Sequence, residues 1–192
     1  MTTTYANVTV VGAEQAAVVA ALGSGAALVT ETVAGMTVVF AAADEEAFRF
    51  GEGVTAAAVS AACGCAALEV SVFDDQILQY RLYRGGVETD VGVVATSVAV
   101  ELAGRAGGSL PEADAGRLVQ RLGRGDEALT RRALSVTEPL ERASDRHAWL
   151  AEALDLPRCA AGWGYRYLIS FPDGFDGGPL TAVGAPAPEE ET

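Results

Sequence analysis

The sequence predicts an α+β fold: a ferredoxin-like βαββαβ N-terminal half whose sheet is extended by a hairpin, then a mainly helical C-terminal half. Three observations carry this. Short β-rich runs alternate with alanine-rich helical stretches over about the first 73 residues. After them an aspartate pair and a glycine pair divide strand-like sequence into a hairpin wing. Beyond residue 96, helical spacing and capping residues take over. The chain accordingly divides into an α+β sheet domain (1–95), a helical region with a late strand (96–172), and a loop with an acidic tail (173–192).

Each element has its own justification. "YANVTVVG" alternates and reads as a strand. "AEQAAVVAALGSG" is a short helix stopped by Gly23, and "ALVTETV" and "MTVVFA" are β-rich runs joined at Ala34-Gly35. "EGVTAAAVSAACG" is an alanine-rich helix ended by Gly64, and "ALEVSVF" is again a strand. The order β-α-β-β-α-β is that of a ferredoxin-like sheet with both helices on one face.

The stretch "EVSVFDDQILQYRLYRGGVETD" tests strand register. A loop of Asp74 and Asp75 alone sets Val70 against Gln79 and Leu68 against Arg81, a mismatch that a half-buried sheet rejects. Adding Gln76 to the loop sets Val72 against Leu78, Val70 against Tyr80, Leu68 against Leu82 and Glu69 against Arg81. Every pair then agrees. A two-residue turn at Gly85-Gly86 continues the wing and places Arg81 opposite Asp90 and Tyr80 opposite Val91. The expected result is a Glu69–Arg81–Asp90 charge ladder on one face. The other carries Leu68, Val70, Val72, Leu78, Tyr80, Leu82, Val91 and Val93.

In the second half, Ser109 and Glu112 fit a capping box for a helix through Leu118, Val119 and Leu122. Asp126 suits the cap of "EALTRRALS", and Thr137 opens a third helix that closes before Pro157. "WGYRYLISF" alternates as a late strand, and everything after Pro172 reads as loop and tail.

Composition narrows the chemistry. All 13 basic residues are arginine, which removes P-loop, pyridoxal and Schiff-base chemistry, and the single histidine removes multi-histidine metal centres. The formal net charge of −13 disfavours nucleic acid and anionic membranes. Residues 1–96 contribute −8 of it, from 11 acids and 3 arginines. The N-terminus has no basic region before its apolar run, so a cytoplasmic location is expected, and Cys63, Cys65 and Cys159 are expected as free thiols. Scarce isoleucine and asparagine, with arginine for lysine, match the codon bias of a high-GC bacterium.

Several side chains qualify as candidate sites, each with a plainer reading beside it. Asp74 and Asp75 suit Mg²⁺ or Ca²⁺ if further oxygen ligands stand opposite, and otherwise form the turn. Gln76, at the last loop position, is a poor residue for the left-handed conformation expected there. Glu69, Arg81 and Asp90 bind a ligand if the helical half covers them, and otherwise make a solvated ladder worth about 0.2–1 kcal/mol per pair. Arg117, Arg121 and Arg124 share a helix face by spacing and suit a phosphate or an acidic surface, though nine acids accompany the eight arginines of residues 112–158. His147 lies on an apolar stripe with Leu140, Ala143, Leu150 and Leu154, the position of a packed histidine.

"VSAACGCAALEVSVFDDQILQYRLYRGGVETD", with "LAEALDLPRCAAGWGYRYL" downstream, resembles a family of bacterial proteins to which no activity is attached. Its pattern is a helix, a strand, an acidic turn, L-x-Y-x-L-Y-x-x-G, and later Leu-Pro followed by Gly-Tyr. It implies no catalytic residue. The expected function is a non-enzymatic, acidic protein-interaction module without a cofactor, binding a protein partner or forming a homodimer. The alternative is a small-molecule or divalent-cation binding protein, in its enzymatic form a metal-assisted hydrolase using Asp74 and Asp75.

Overall fold

The computed structural model describes residues 3–46, 54–96, 99–101, 110–135 and 142–184. Its strands are β1 (Tyr5–Val11), β2 (Ala27–Thr30), β3 (Met36–Ala41), β4 (Ala66–Phe73), β5 (Ile77–Arg84), β6 (Val87–Ala95) and β7 (Leu180–Val183). Its helices are α1 (Gln15–Leu22), α2 (Ala42–Glu46), α3 (Val54–Cys63), α4 (Ala115–Leu122), α5 (Glu127–Leu134), α6 (Ala143–Ala153) and α7 (Tyr165–Ser170). The strands form one antiparallel sheet in the order β6-β5-β4-β1-β3-β2-β7.

This seven-strand order is not that of a ferredoxin-like sheet. The hairpin wing adds β5 and β6 beyond β4, and β7 adds beyond β2, so the open edges of a four-stranded unit are paired instead of exposed. β7 comes from sequence expected to be loop. Its partner β2 offers a free row of backbone groups, which Leu180–Val183 fill opposite Thr30–Ala27.

Both sheet faces are covered. On one, Val8, Val10, Val39 and Ala67 pack against Val18 of α1 and Val59 of α3. On the other, Phe40, Leu68, Val70 and Tyr80 meet Leu118, Leu134, Leu150 and Leu168 from the helical half. The helical half therefore covers the apolar side of the wing. No helix among the described residues is long and apolar enough to cross a membrane.

The β4–β5 register is as expected: Val72–Leu78, Val70–Tyr80, Leu68–Leu82 and Glu69–Arg81 are paired. The β5–β6 register is not. Gly85 and Gly86 make the turn with φ of 56° and 81°, and Tyr83 faces Glu88, but a bulge follows. Leu82 then pairs with Asp90, Arg81 with Val91 and Tyr80 with Gly92. Thr89 is the extra residue, and its hydroxyl donates to the Leu82 carbonyl at 3.0 Å. Tyr80 explains the slip, because a Cβ on Gly92 would stand 2.5 Å from its Cε1. Only glycine fits under that ring. The slip moves Val91 and Val93 to the opposite face from that expected, and puts Asp90 on the Tyr80 face.

The helical half also differs in its ends. α4 starts at Ala115 on a cap from Asp114, whose carboxylate accepts the Arg117 amide at 2.9 Å. Glu112 instead makes a bridge to Val93, and Ser109 lies outside the described residues. Asp126 caps α5 as expected, accepting from the Leu129 amide at 2.9 Å. α6 ends at Ala153, before Pro157, whereas Thr137 and Leu140 lie outside the described residues. The late strand is a helix, α7. Its alternating aromatics imitate a strand, yet Tyr165 and Leu168, three apart, both turn into the core.

Candidate functional site

The Asp74-Asp75 pair is a turn whose second member also serves the helical half. Both residues adopt the left-handed region, φ 52° and 53°, and the Gln76 amide closes the turn on the Phe73 carbonyl at 3.0 Å. Left-handed residues thus stand at the two aspartates, not at Gln76, and aspartate tolerates this conformation better than most side chains. The Asp75 carboxylate accepts the Ser144 hydroxyl at 2.6 Å, the Ser144 amide at 3.4 Å and the Thr3 amide at 3.2 Å. Its carbonyl accepts the Ala143 amide at 3.0 Å. Burial pushes its carboxyl up, but the Ser144 hydroxyl and Thr3 amide prevail and hold it below the usual aspartate range. Arg142, at the head of α6, makes no side-chain cap of its own. Asp75 caps α6 from 69 residues away in sequence.

The expected charge ladder is broken in two by the bulge. Arg81 turns to Glu88 at 2.7 Å. Asp90 lies on the opposite face, 5 % exposed, where Arg117 Nε donates to it at 2.5 Å and the Tyr80 hydroxyl at 3.4 Å. The Tyr80 hydroxyl in turn accepts the Asp114 amide at 3.2 Å. Burial pushes the Tyr80 phenol up to about 12, so it stays a donor. Asp90, Tyr80, Asp114 and Arg117 thereby lock the start of α4 onto the wing.

Glu69 keeps Arg81 opposite it, and that charge favours its ionised form, but the Arg81 hydrogen bond goes to Glu88. Glu69 is 8 % exposed, its Oε1 takes one long bond from the Ser71 hydroxyl at 3.4 Å, and its Oε2 has no hydrogen-bond partner. Asp44 on α2 is 6 % exposed, accepts the Thr55 amide at 3.4 Å on Oδ1, and leaves Oδ2 unpartnered. Burial, then the nearby Asp44 carboxylate, push Glu69 up to about 7, and burial pushes Asp44 up to about 6. Nothing in the spacing around Asp44 signals this, since its burial follows from α2 tucking beside α3.

The three arginines do not form a common face. α4 ends at Leu122 with Gly123 in the left-handed conformation, so Arg124 lies past the helix. Its guanidinium donates to the carbonyls of Leu154 at 3.0 Å and Asp155 at 2.8 Å, at the end of α6. Arg117 serves Asp90, and Arg121 contributes its carbonyl to Arg84 at 2.8 Å.

His147 is buried at 1 % exposure, stacked on Tyr5 with ring centroids 5.6 Å apart. Its Nδ1 lies 2.9 Å from the Tyr5 hydroxyl, which also accepts the Gly162 amide at 3.0 Å. Burial pushes the imidazole down to about 3, so it is neutral and packed at physiological pH. Cys65 and Cys159 belong to cores on opposite faces of the sheet, and all three cysteines are free.

One surface feature was hidden by the strand-like reading of "WGYRYLISF". Trp163, Tyr167 and Phe171 form a run of ring contacts with centroids 5.3 and 5.1 Å apart. Tyr167, on α7, is 53 % exposed, Phe171, just past its end, 59 %, and Ile169 on the same helix 45 %. The inner end is anchored by Phe175, which meets Trp163 and Phe40 edge-on. α7 begins at Gly164 without a side-chain cap, and again a distant carboxylate substitutes: Glu45 on α2 accepts the Arg166 amide at 2.9 Å. A groove of about 290 Å³ between α5 and α6 is lined by Leu129, Arg132, Trp149 and Glu152. No protein-family model, no curated protein and no solved structure matches this chain.

Proposed function

We propose that the protein is a non-enzymatic interaction module of the bacterial cytoplasm that binds another protein through the aromatic ridge on α7. The observation that carries this reading is the run Trp163–Tyr167–Phe171, with two rings more than half exposed, one on α7 and one at its C-terminal end, while the other side of the helix is in the core. Aromatic residues dominate the buried centres of protein interfaces, and contiguous exposed apolar surface marks such sites. Electrostatics play a smaller part than the net charge suggests. Asp44, Glu45, Glu69 and Asp90 are buried, so the acidic N-terminal half displays less charge than it formally carries. The remaining surface acids steer a partner and disfavour nucleic acid and anionic membranes. Asp75 commits both carboxylate oxygens to Ser144 and Thr3, which supports its role as a cap over that as a cation ligand.

The test is a Tyr167→Ser/Phe171→Ser double variant. Its fold should match the wild type by circular dichroism, because both rings are exposed. It should lose at least about tenfold in affinity for a partner retained specifically by tagged wild-type protein, or in self-association measured by sedimentation. Complex formation unchanged by the double substitution would overturn the assignment to α7.

A further inference from the structure

We propose that Asp44 and Glu69 form a proton-sensing pair that governs the docking of α2 and, through Glu45, the anchoring of the aromatic ridge on α7. The ridge's role as a binding surface rests on the function proposed above; the switch itself does not.

The geometry has three parts. The first is a pair of carboxylates, each more than nine-tenths buried and each with one oxygen that no donor reaches. They come from different elements, Glu69 from β4 and Asp44 from α2. Separating the elements relieves both their mutual repulsion and their desolvation. The second part is adjacency, because Asp44 and Glu45 are consecutive residues of the five-residue α2. The third is the contact Glu45 makes. Its carboxylate accepts the Arg166 amide, and a Cβ on Gly164 would stand 2.0 Å from its Oε1, so α7 starts directly on that carboxylate. A displacement of α2 removes the N-terminal anchor of α7.

The surroundings fix the sign. Facing Glu69 are Asp44 from α2, Arg81 and Tyr83 from β5 and Glu88 from β6, and Arg81 gives its hydrogen bond to Glu88. Facing Asp44 are Thr55 from α3 and its neighbour Glu45, and facing Glu45 is Arg166 from α7. With both carboxyls protonated the site is neutral and α2 is docked. Deprotonation puts two negative charges where no hydrogen-bond donor serves their outer oxygens, and α2 is expelled. Burial pushes Glu69 up to about 7 and Asp44 up to about 6, so the change falls just below neutral pH. Glu45, also pushed up by burial, works in the same direction: its docked form holds the proton more tightly than a free carboxyl, so charging it on raising the pH also favours undocking. Glu69→Gln removes the charge from the pair and leaves Glu45 in place, so it separates the two contributions.

Native-state hydrogen exchange on the full chain tests this, with protection factors corrected for intrinsic exchange at pH 5, 6, 7 and 8. Three amides report: Thr55, bonded to Asp44; Arg166, bonded to Glu45; and Leu82 in β5, for opening of the whole sheet. Between pH 5 and 7, protection at Thr55 and Arg166 should fall at least about tenfold more than at Leu82. Glu69→Gln, which keeps the shape and removes the charge, should flatten that excess to within about threefold. A fall at Arg166 no steeper than at Leu82, a fall at Thr55 without one at Arg166, or an undiminished fall in Glu69→Gln would each overturn the proposal. These readings need no partner. Loss of the Tyr167/Phe171 result leaves the switch standing, and loss of the exchange result leaves the binding surface standing.

Discussion

Removing the Asp75 carboxylate should cost more than any ordinary turn substitution, because it uncaps a helix in a distant part of the chain. Asp75→Ala deletes the acceptor of the Ser144 hydroxyl, the Ser144 amide and the Thr3 amide. The Ala143 amide keeps its bond to the Asp75 carbonyl, so α6 is weakened and not released. Loss of an N-cap side chain costs about 0.5–2 kcal/mol. Holding alanine at φ 53° adds about 1 kcal/mol, since aspartate tolerates the left-handed region and alanine does not. The sum, about 1.5–3 kcal/mol, corresponds to a Tm lowered by roughly 3–12 °C for a chain of this length. Asp75→Asn separates the contributions: it keeps an acceptor and tolerates the backbone, so it should cost about 1 kcal/mol or less at neutral pH. Its sign with pH is also fixed. The folded carboxyl lies below the usual range, so its stabilisation is present above about pH 4 and is lost as pH falls through the folded value. Urea unfolding followed by circular dichroism measures all three. If Asp75→Ala comes within about 0.5 kcal/mol of wild type, the remote cap contributes nothing and the reasoning fails.

Other outcomes are equally specific. Gly92→Ala should destabilise by about 1–3 kcal/mol, because the new methyl meets both the Tyr80 ring and the Ala113 backbone within 3 Å; an unaffected urea midpoint would show that the wing does not pack this way. Arg117→Ala should cost about 1–3 kcal/mol by leaving the buried Asp90 carboxylate without its counter-charge, held only by the long Tyr80 bond and the Val91 amide, and Asp90→Asn in the same chain should recover part of it. The pH profile of stability should peak near pH 4–5 instead of at neutrality. Glu69, raised to about 7, contributes stability fully present below its ordinary 4.5 and lost as pH rises through 7, about 3 kcal/mol at 1.36 kcal/mol per unit. His147, lowered from 6.5 to about 3, contributes stability present above 6.5 and lost as pH falls towards 3, up to about 5 kcal/mol. The His147 rise offsets only one of the two falls, from Glu69 and from Asp44, over pH 4.5–6, so a measured maximum at pH 7 or above would contradict the burial assigned to those two carboxyls.

What could be read from residue order alone was local and periodic. Pairing of β4 with β5 followed because a wrong register puts Leu68 against Arg81, a conflict visible without coordinates. The β5–β6 register failed because it depends on a through-space clash: Tyr80 admits only a glycine beneath it, and Gly92 sits one residue beyond the unbulged position. The α7 error has a similar origin. Trp163, Tyr165, Tyr167, Ile169 and Phe171 satisfy a period of two by composition, while the residues that become buried, Tyr165 and Leu168, are set by where α2 presents Glu45. Sites divide the same way. Asp75 stood out by its unfavourable turn chemistry, and that chemistry is compensated by Ser144 and Thr3. Asp44 carried no signal, because burial of one carboxylate on a five-residue helix is a tertiary fact.

The acids of the N-terminal half have a shared logic that their formal charge conceals. Asp75 caps α6, Glu45 caps α7, and Asp90 holds Arg117 at the start of α4. Three carboxylates of the sheet half thus each fasten the first turn of a helix from the other half, where the partial positive charge of a helix resides. Two of those helices have no capping side chain of their own, so their starts are specified only when the sheet is already formed. The helical half should therefore be poorly ordered as a separate fragment, and its order should return when the sheet half is supplied. Glu69 and Asp44 stand outside this scheme. They face no helix terminus that neutralises them fully, and each keeps an oxygen without a donor. A fold that assigns its other interior carboxylates so directly, yet leaves these two in each other's field and under-served, places its sensitivity to pH in α2, the element that touches both the sheet and the aromatic ridge.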